Sequence, residues 1–213
     1  AFSRYTKDIG KAHDIEMTIE LTSKQPRIQK YIPLPHQLRP QVKKILDQLI
    51  EFGIIRPCPE PSRYCSNLIA IHKKDKKDLR VLFDGRNLNM DTLTYPMVLP
   101  NKFETFAHLA GKKHVSTFDV SEAFFSLPLA AEAQPLTAFY SSMHGSRYCF
   151  TRAPQGLKNS PLFLKLLLDK IFSDMNETVL YYADDILVAT STTKKGHLDV
   201  VDEVLRRIAA AGF

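Results

Sequence analysis

A pair of adjacent aspartates, Asp184 and Asp185, most constrains how this 213-residue chain can fold. They lie between two apolar, β-forming runs at residues 179–182 and 186–190, a pattern that predicts a tight β-hairpin with the carboxylates at or beside its turn. Adjacent like charges repel, and a divalent cation removes that cost because hard metal ions bind carboxylate oxygens. A solvated hairpin tip is the alternative, since Ala-Asp-Asp is also ordinary turn chemistry, and these residues alone do not decide between the two.

The charge of the chain is concentrated in one region. The net charge is +6, which indicates an anionic partner without identifying it. Between Leu21 and Asp91 there are fourteen Lys and Arg residues but only six Asp and Glu residues, so this region carries +8. Such a surface suits a phosphate backbone, although charged hairpin tips are more often simply solvated.

The cysteines and the hydropathy pattern exclude several classes of protein. Three cysteines leave an odd thiol and no CxxC pair, which favours free thiols in a reducing compartment over a disulfide scaffold or a zinc site. No secretory or membrane-spanning segment is predicted, so no membrane partner is expected.

The pattern of hairpins and helices predicts an α+β fold with an antiparallel sheet backed by helices, because repeating strand-helix units are missing. The predicted strands are residues 15–21, 67–71, 79–83, 114–118, 124–129, 137–140 and 148–150, besides the Asp-Asp hairpin. The predicted helices run from Pro40 to a stop at Gly53, over 103–109, over 162–175 with Ser160 as N-cap, and over 197–211 before Gly212.

A third carboxylate, Asp119, ends the predicted strand 114–118. Its spacing to Glu122 also matches a capping box, which is the favoured interpretation when Asp119 is taken alone. Together with Asp184 and Asp185, however, it supplies three carboxylates at strand ends. Such a cluster can hold two Mg²⁺ ions roughly 3.5–4 Å apart, the arrangement that serves phosphoryl transfer.

Two further features lie near these carboxylates in the chain. Phe124 follows Asp119 by five residues; its ring either packs in the core or presses against the sugar of a nucleotide, where a 2′-OH would have no room. The loop 153–161 leads into a predicted helix N-terminus, which favours phosphate, and Gly156 allows close backbone approach there. A plain loop-to-helix connection is the alternative.

The order of these motifs resembles the reverse transcriptases of retroviruses and LTR retrotransposons. The matching segments, in chain order, are Ile-Ile-Arg-Pro (54–57), Arg-Val-Leu-Phe-Asp-Gly-Arg-Asn-Leu-Asn (80–89), Phe-Asp-Val-Ser-Glu-Ala-Phe-Phe (118–125), Pro-Gln-Gly-Leu-Lys-Asn-Ser-Pro (154–161) and Tyr-Ala-Asp-Asp (182–185). The resemblance extends from about residue 28 to residue 213. Gly85 stands where relatives commonly have a larger residue, which predicts looser local packing.

The resemblance implies a right-hand polymerase, with fingers at 1–91 and 126–157 and palm at 92–125 and 158–213, and with the thumb and RNase H domain lying beyond the chain. It also implies roles for individual residues. Asp119, Asp184 and Asp185 would hold two Mg²⁺ ions, for which Mn²⁺ can substitute; Lys73 and Arg80 would bind the triphosphate; Phe124 would be the sugar gate; Gln155 would line the nucleotide pocket; Tyr182 and Gly156 would lie near primer and template.

The implied partners are an RNA template, a DNA primer, dNTP and the downstream thumb and RNase H segments, with dimerisation left open. The implied location is the cytoplasm, within viral or virus-like particles, with the nucleus as an alternative. Two other functions remain: an RNA-dependent RNA polymerase palm, which bulky Phe124 disfavours, and an inactive nucleic-acid-binding or assembly module. Without the downstream segments we expect the chain alone to be a weak or inactive polymerase.

Overall fold

The chain divides into two compact units. The computed structural model describes residues 9–23, 25–27, 29–72, 78–97 and 107–213. We call Glu16–Thr94 with Leu127–Ser160 the hairpin unit, and Ala1–Ile15 with Tyr95–Ser126 and Pro161–Phe213 the carboxylate unit. The predicted domain boundaries fall after residues 91, 125 and 157, whereas the boundaries between the two units fall after residues 94, 126 and 160. Residues 9–15 belong to the carboxylate unit. Their assignment as fingers and palm stays a prediction.

The described residues form helices and eight strands, and the strands make three small sheets. In chain order they are α1 (Arg39–Glu51), β1 (Ile55–Pro57), β2 (Asn67–His72), β3 (Leu79–Asp84), α2 (Arg86–Asp91), β4 (His114–Asp119), β5 (Phe139–Ser141), β6 (Ser146–Phe150), α3 (Ser160–Ile171), β7 (Val179–Tyr182), β8 (Asp185–Thr190) and α4 (Lys194–Ala210). The sheet orders are β1-β6-β5 and β2-β3 in the hairpin unit and β4-β8-β7 in the carboxylate unit. All of these pairings are antiparallel, which confirms the α+β prediction.

Each unit buries its own apolar core, and that burial is its main source of stability. In the hairpin unit the buried side chains include Val42, Leu46, Ile54, Phe139 and Phe150. In the carboxylate unit they include Leu164, Leu168 and Phe172 in and just after α3, Ile186 on β8 and Val204 on α4.

The ends of α1 and α4 follow local capping rules. Pro40 lies in the first turn of α1, where its missing N–H costs nothing, and Gly53 follows the helix at φ +64°. Thr193 caps α4, because its side-chain oxygen accepts a hydrogen bond from the backbone N–H of Gly196 at 3.2 Å. The predicted start at His197 is therefore three residues late, because the first turn of α4 has no apolar residues and does not contribute to the apolar periodicity.

Two predicted strands are wrong. Residues 15–21 alternate like a strand, yet within the part of the chain that the structure describes they make only isolated bridges, Met17 with Leu129 and Leu21 with Thr92. Residues 124–129 begin inside a 3-10 turn, Ala123–Ser126, which the hydroxyl of Ser126 stabilises by donating to the carbonyl of Ala123 at 2.6 Å. The preceding residue, Glu122, has φ +51° and turns the chain out of the strand direction.

Several predicted elements differ at their ends; the strand predicted at 148–150, for example, already begins at Ser146. The strand predicted at 137–140 begins only at Phe139, because Gln134–Thr137 is a 3-10 turn. Helix α3 ends at Ile171 rather than residue 175, and the hydroxyl of its predicted cap, Ser160, lies 3.6 Å from the sulfur of Met17. Of the helix predicted at 103–109, residues 107–109 are helical and the others lie outside the described residues.

The cysteines match their sequence-based interpretation: Cys58, Cys65 and Cys149 are all free thiols. Within the described residues, every helix is too short or too polar to cross a bilayer.

Candidate active site

The β7–β8 hairpin carries Asp184 in its two-residue turn and Asp185 as the first residue of β8. Tyr182 pairs with Asp185, so Ala183 and Asp184 form the loop. Ala183 has φ +53°, and a positive φ at the first loop residue is typical of two-residue hairpins. An alanine in this left-handed region costs roughly 1–2 kcal/mol. The hairpin thus carries backbone strain beside its two aspartates, a frequent feature of functional sites.

The third predicted carboxylate lies on the neighbouring strand. Asp119 is the register partner of Asp185 in the β4–β8 pair, and the backbone N–H of Val120 donates to the carbonyl of Asp184 at 2.9 Å. Directly opposed residues point to the same face of an antiparallel pair with Cβ atoms about 4.5–5.5 Å apart. Tertiary structure therefore brings together at one sheet edge residues that are 65 and 66 positions apart in sequence.

These carboxylates are exposed, and no described residue pairs with them. Asp119, Asp184 and Asp185 all lie at the surface. Among the residues described here, none donates a side-chain hydrogen bond to the three carboxylates or forms an ion pair with them, although opposed like charges are unfavourable.

The donor set fits a hard divalent cation, because all three side chains offer carboxylate oxygens. Even so, no three His, Cys, Asp or Glu side chains of the described residues converge closely enough to hold one ion. The backbone register places Asp119 opposite Asp185, next to the loop that carries Asp184.

Two other predicted residues lie in the carboxylate unit. Tyr182 is 57% exposed and occupies the same face as its partner Asp185. Phe124 is half-buried in the 3-10 turn that follows β4. Both lie within five residues of a predicted metal ligand in the sequence, and neither side chain is fully buried.

Sequence reasoning missed the side chains that anchor β7 to α3. The hydroxyl of Tyr181 donates to the carboxylate of Asp169, and the Nζ of Lys165 lies 2.8 Å from both oxygens of that carboxylate. Burial, and next the bond to Asp169, raise the pKa of Tyr181. The signal was available as an i,i+4 charge pair inside an otherwise apolar helix.

A second missed anchor joins α4 to both strands that carry the carboxylates. His197 is buried, with Nε2 2.8 Å from the hydroxyl of Ser116 on β4 and Nδ1 2.9 Å from the hydroxyl of Thr190 on β8. Both ring nitrogens are satisfied, so this histidine is a structural residue in a packed interface.

The remaining predicted residues belong to the hairpin unit. Arg80 is exposed on β3, opposite Ile71 of β2, and Lys73 lies outside the described residues. Gln155 is half-buried and Gly156 exposed on the loop that precedes α3. Gly156 has φ +109°, and a Cβ added there would lie 2.7 Å from the carbonyl oxygen of Phe83. The close approach that this glycine permits is therefore to the backbone of β3.

The Asp84-Gly85-Arg86 segment is packed tightly, so the predicted looser packing is wrong. A Cβ on Gly85 would lie 3.0 Å from both the carbonyl oxygen of Gly156 and the ring of Phe83. The guanidinium of Arg86 donates two 2.8 Å hydrogen bonds to buried Asp84, which lowers the pKa of that carboxyl group. A larger residue at position 85 requires the loop at 156 to move.

Comparison with known sequences gives one family. A model described as "Reverse transcriptase (RNA-dependent DNA polymerase)" matches residues 71–213. A retrovirus-related Pol polyprotein from the transposon opus of Drosophila melanogaster is 34% identical over 181 residues. That match covers 82% of this chain but 17% of the relative, so the chain spans a small part of the polyprotein.

Solved structures show the same fold. The protease-reverse transcriptase of prototype foamy virus matches with a TM-score of 0.87 at 24% identity, over 99% of this chain and 28% of that chain. Its native crystal structure matches with a TM-score of 0.83 at 25% identity, over 95% and 26%. The foamy viral enzyme in complex with an RNA/DNA hybrid matches with a TM-score of 0.86 at 23% identity, over 99% and 28%.

Proposed function

The chain belongs to the reverse transcriptase family, and from that premise we propose that it supplies the fingers and palm of an RNA- and DNA-templated DNA polymerase. The observation that carries the proposal is the pairing of Asp119 with Asp185 beside the Asp184 turn. The reaction is nucleotidyl transfer: the primer 3′-OH attacks the α-phosphorus of a dNTP, a phosphodiester bond forms, and pyrophosphate leaves. The carboxylate unit would be the palm and the hairpin unit the fingers.

Asp119, Asp184 and Asp185 would hold two Mg²⁺ ions, or Mn²⁺ in their place. When bound, such ions neutralise the charge that develops on the attacking and leaving oxygens. The contribution of the protein is to keep three carboxylates at one rigid sheet edge. Two anchors supply that rigidity, namely Asp169 to Tyr181 on β7 and His197 to β4 and β8.

The other predicted residues would bind and orient substrates. Lys73 and Arg80 would bind the triphosphate, Gln155 would line the nucleotide pocket, Phe124 would exclude a 2′-OH, and Tyr182 and Gly156 would lie near primer and template. Positioning and charge neutralisation are most of what phosphoryl transfer asks of a protein. The proposed partners are therefore an RNA template, a DNA primer and dNTP, with viral or virus-like particles in the cytoplasm as the proposed location.

Primer extension tests the proposed function directly. A labelled DNA primer is annealed to RNA or to DNA of the same sequence and incubated with dNTP and Mg²⁺, with and without EDTA. The expected result is incorporation on both templates that needs the metal. Because the chain spans 17% of its polyprotein relative, the assay includes a longer chain that contains these residues. If neither length incorporates dNTP, the proposal is wrong.

Replacing Phe124 with valine is expected to admit ribonucleotides. The smaller side chain opens space for the 2′-OH, so the preference for dNTP over rNTP, measured as the ratio of kcat/KM values, should fall by about tenfold or more. Phe125, the adjacent half-buried aromatic, provides the matched control through Phe125→Val. An unchanged ratio in Phe124→Val would assign this ring to core packing.

Removing the charge of Arg80 is expected to weaken dNTP use but not duplex binding. Arg80→Ala or Lys73→Ala should raise the KM for dNTP about tenfold, because each charge-assisted hydrogen bond to phosphate contributes roughly 1.5–3 kcal/mol. Lys44→Ala, at an exposed position on α1, and Lys76→Ala control for general loss of positive charge. Equal effects from all four substitutions would mean that Lys73 and Arg80 act only as part of a diffuse basic patch, without specific contacts to the triphosphate.

A further inference from the structure

Asn89, to which no role has been given so far, holds the loop that carries Gln155. It lies on α2, and its carboxamide uses both of its ends on one stretch of that loop. The Nδ2 donates to the carbonyl oxygen of Gly156 at 2.6 Å, and the Oδ1 accepts from the backbone N–H of Lys158 at 2.9 Å. One side chain thus fixes two backbone groups that are two residues apart, immediately after Gln155.

The loop returns these contacts to the end of α2. The Nζ of Lys158 donates to the carbonyl oxygens of Asn89 at 3.1 Å and Thr92 at 3.0 Å, and the Nδ2 of Asn159 donates to the carbonyl oxygen of Leu93 at 2.8 Å. Carbonyls at a helix C-terminus lack partners within the helix, and a lysine there also interacts favourably with the helix dipole. The loop and the helix end therefore satisfy each other's polar groups.

Helix α2 is itself a firm support. Asp91, the last residue of the helix, is 2% exposed and accepts hydrogen bonds from the hydroxyl of Tyr64 and the Nε of Arg27, both at 2.9 Å. Burial, and next the bond to Asp91, raise the pKa of Tyr64 to about 12. A buried carboxylate whose hydrogen bonds are satisfied in this way makes the surrounding structure more rigid.

Close backbone contacts with Phe83 and Gly85 also limit the position of the loop. Gly156 already lies so close to the carbonyl of Phe83 that a Cβ does not fit, and Gly85 lies against the carbonyl of Gly156. Asn89 holds the loop on one side and these backbone contacts stop it on the other. The backbone of Gln155, between buried Pro154 and Gly156, consequently has little room to move.

We propose that Asn89 is a positioning residue for the nucleotide pocket, which sets the backbone of the loop that presents Gln155 to an incoming dNTP. This inference rests on the proposed function. It goes further in naming a residue that does not touch the nucleotide but determines how tightly the nucleotide is bound. A short amide suits this role, because its Nδ2 donates to the carbonyl of Gly156 while its Oδ1 accepts from the N–H of Lys158.

Two substitutions at position 89 separate the two bonds. Asn89→Asp has nearly the same shape and keeps an acceptor for Lys158, but it loses the donor and sets an oxygen against the carbonyl of Gly156. Asn89→Ala removes both bonds. Asn87→Ala is the matched control, since Asn87 lies on the same helix and its Nδ2 only approaches the carbonyl of Arg27 at 3.5 Å.

The experiment combines amide hydrogen exchange with steady-state kinetics at a temperature well below the unfolding transition. Exchange of the Lys158 amide reports the contact in the 213-residue chain. The KM for dNTP, kcat and the Kd for duplex are measured in whichever chain length extends primers. For both position-89 variants we expect a KM raised about tenfold, with duplex Kd within about twofold, because the loss of a hydrogen bond that positions the loop is worth roughly 0.5–1.5 kcal/mol. Lys158 exchange should accelerate in Asn89→Ala, and Asn87→Ala should match wild type.

The outcomes distinguish this inference from the proposed function. Wild-type incorporation, faster Lys158 exchange in Asn89→Ala and an unchanged KM would leave the polymerase assignment standing and overturn the positioning role. A fall in duplex affinity and kcat in proportion to lost stability would also overturn it, because that is the result of a merely structural residue. Failure of the wild-type protein to incorporate any dNTP would overturn both.

Discussion

Replacing either Asp184 or Asp185 with asparagine is expected to abolish nucleotide incorporation while leaving the fold intact. Each substitution removes one negative charge from the site that we propose binds the metal ions, so we expect a rate loss of about a thousandfold or more. Stability should not suffer. Relief of repulsion between opposed Asp119 and Asp185 should leave Asp185→Asn neutral or more stable by roughly 0.2–1 kcal/mol.

Asp199 provides the control for this prediction. It is exposed on α4 in the same unit, so Asp199→Asn makes the same chemical change away from the sheet edge. Primer extension and chemical denaturation are measured for all three variants in a chain length that is active as wild type. Incorporation near the wild-type rate by the Asp184 or Asp185 variant would show that these carboxylates are only a solvated hairpin tip.

Replacing Gly156 with alanine is expected to destabilise the protein by roughly 2–4 kcal/mol. Two effects add. The backbone at φ +109° is one that L side chains rarely adopt, and the new Cβ would lie 2.7 Å from the carbonyl oxygen of Phe83, where backbone cannot easily yield. Chemical denaturation gives the free energy of unfolding, and a movement of the loop should also appear as faster exchange of the Lys158 amide.

Gly145→Ala isolates the contribution of that contact. Gly145 also has a positive φ, +61°, but nothing lies within 4 Å of the position where a Cβ would stand. This variant should lose only about 1–2 kcal/mol, the conformational cost alone. Equal losses at the two positions would mean that the close approach to Phe83 contributes nothing.

Local rules explain why much of the fold was predictable. Helix α1 has an apolar stripe, a proline in its first turn and a glycine after its end, all within about fifteen residues. The β2–β3 pair has two β-forming runs, and the β7–β8 hairpin has a two-residue loop. In each case the deciding residues are near neighbours in sequence, so the pattern alone carries the structure.

The predictions that were wrong concern segments whose structure depends on residues distant in sequence. Residues 15–21 have the alternation of a strand but make only isolated bridges to other described residues, and residues 124–129 are diverted by a left-handed Glu122 and a 3-10 turn. In sequence, Gly85 predicts loose packing, whereas in the fold a Cβ at this position would lie 3.0 Å from the carbonyl oxygen of Gly156. Apolar alternation indicates that a segment can pair; whether a partner strand lies alongside depends on distant parts of the chain.

By itself, the sequence determined the family, the α+β class, the Asp184–Asp185 hairpin and the carboxylate at Asp119, because ordered motifs and turn chemistry are local and additive. Only the tertiary structure decided that Asp119 stands opposite Asp185, that Gly156 lies against Phe83 and that Asn89 holds Lys158. These pairs are 66, 73 and 69 residues apart. Contacts at such separations form only when the packing of whole elements offsets the entropy of closing long loops, and no local pattern records that balance.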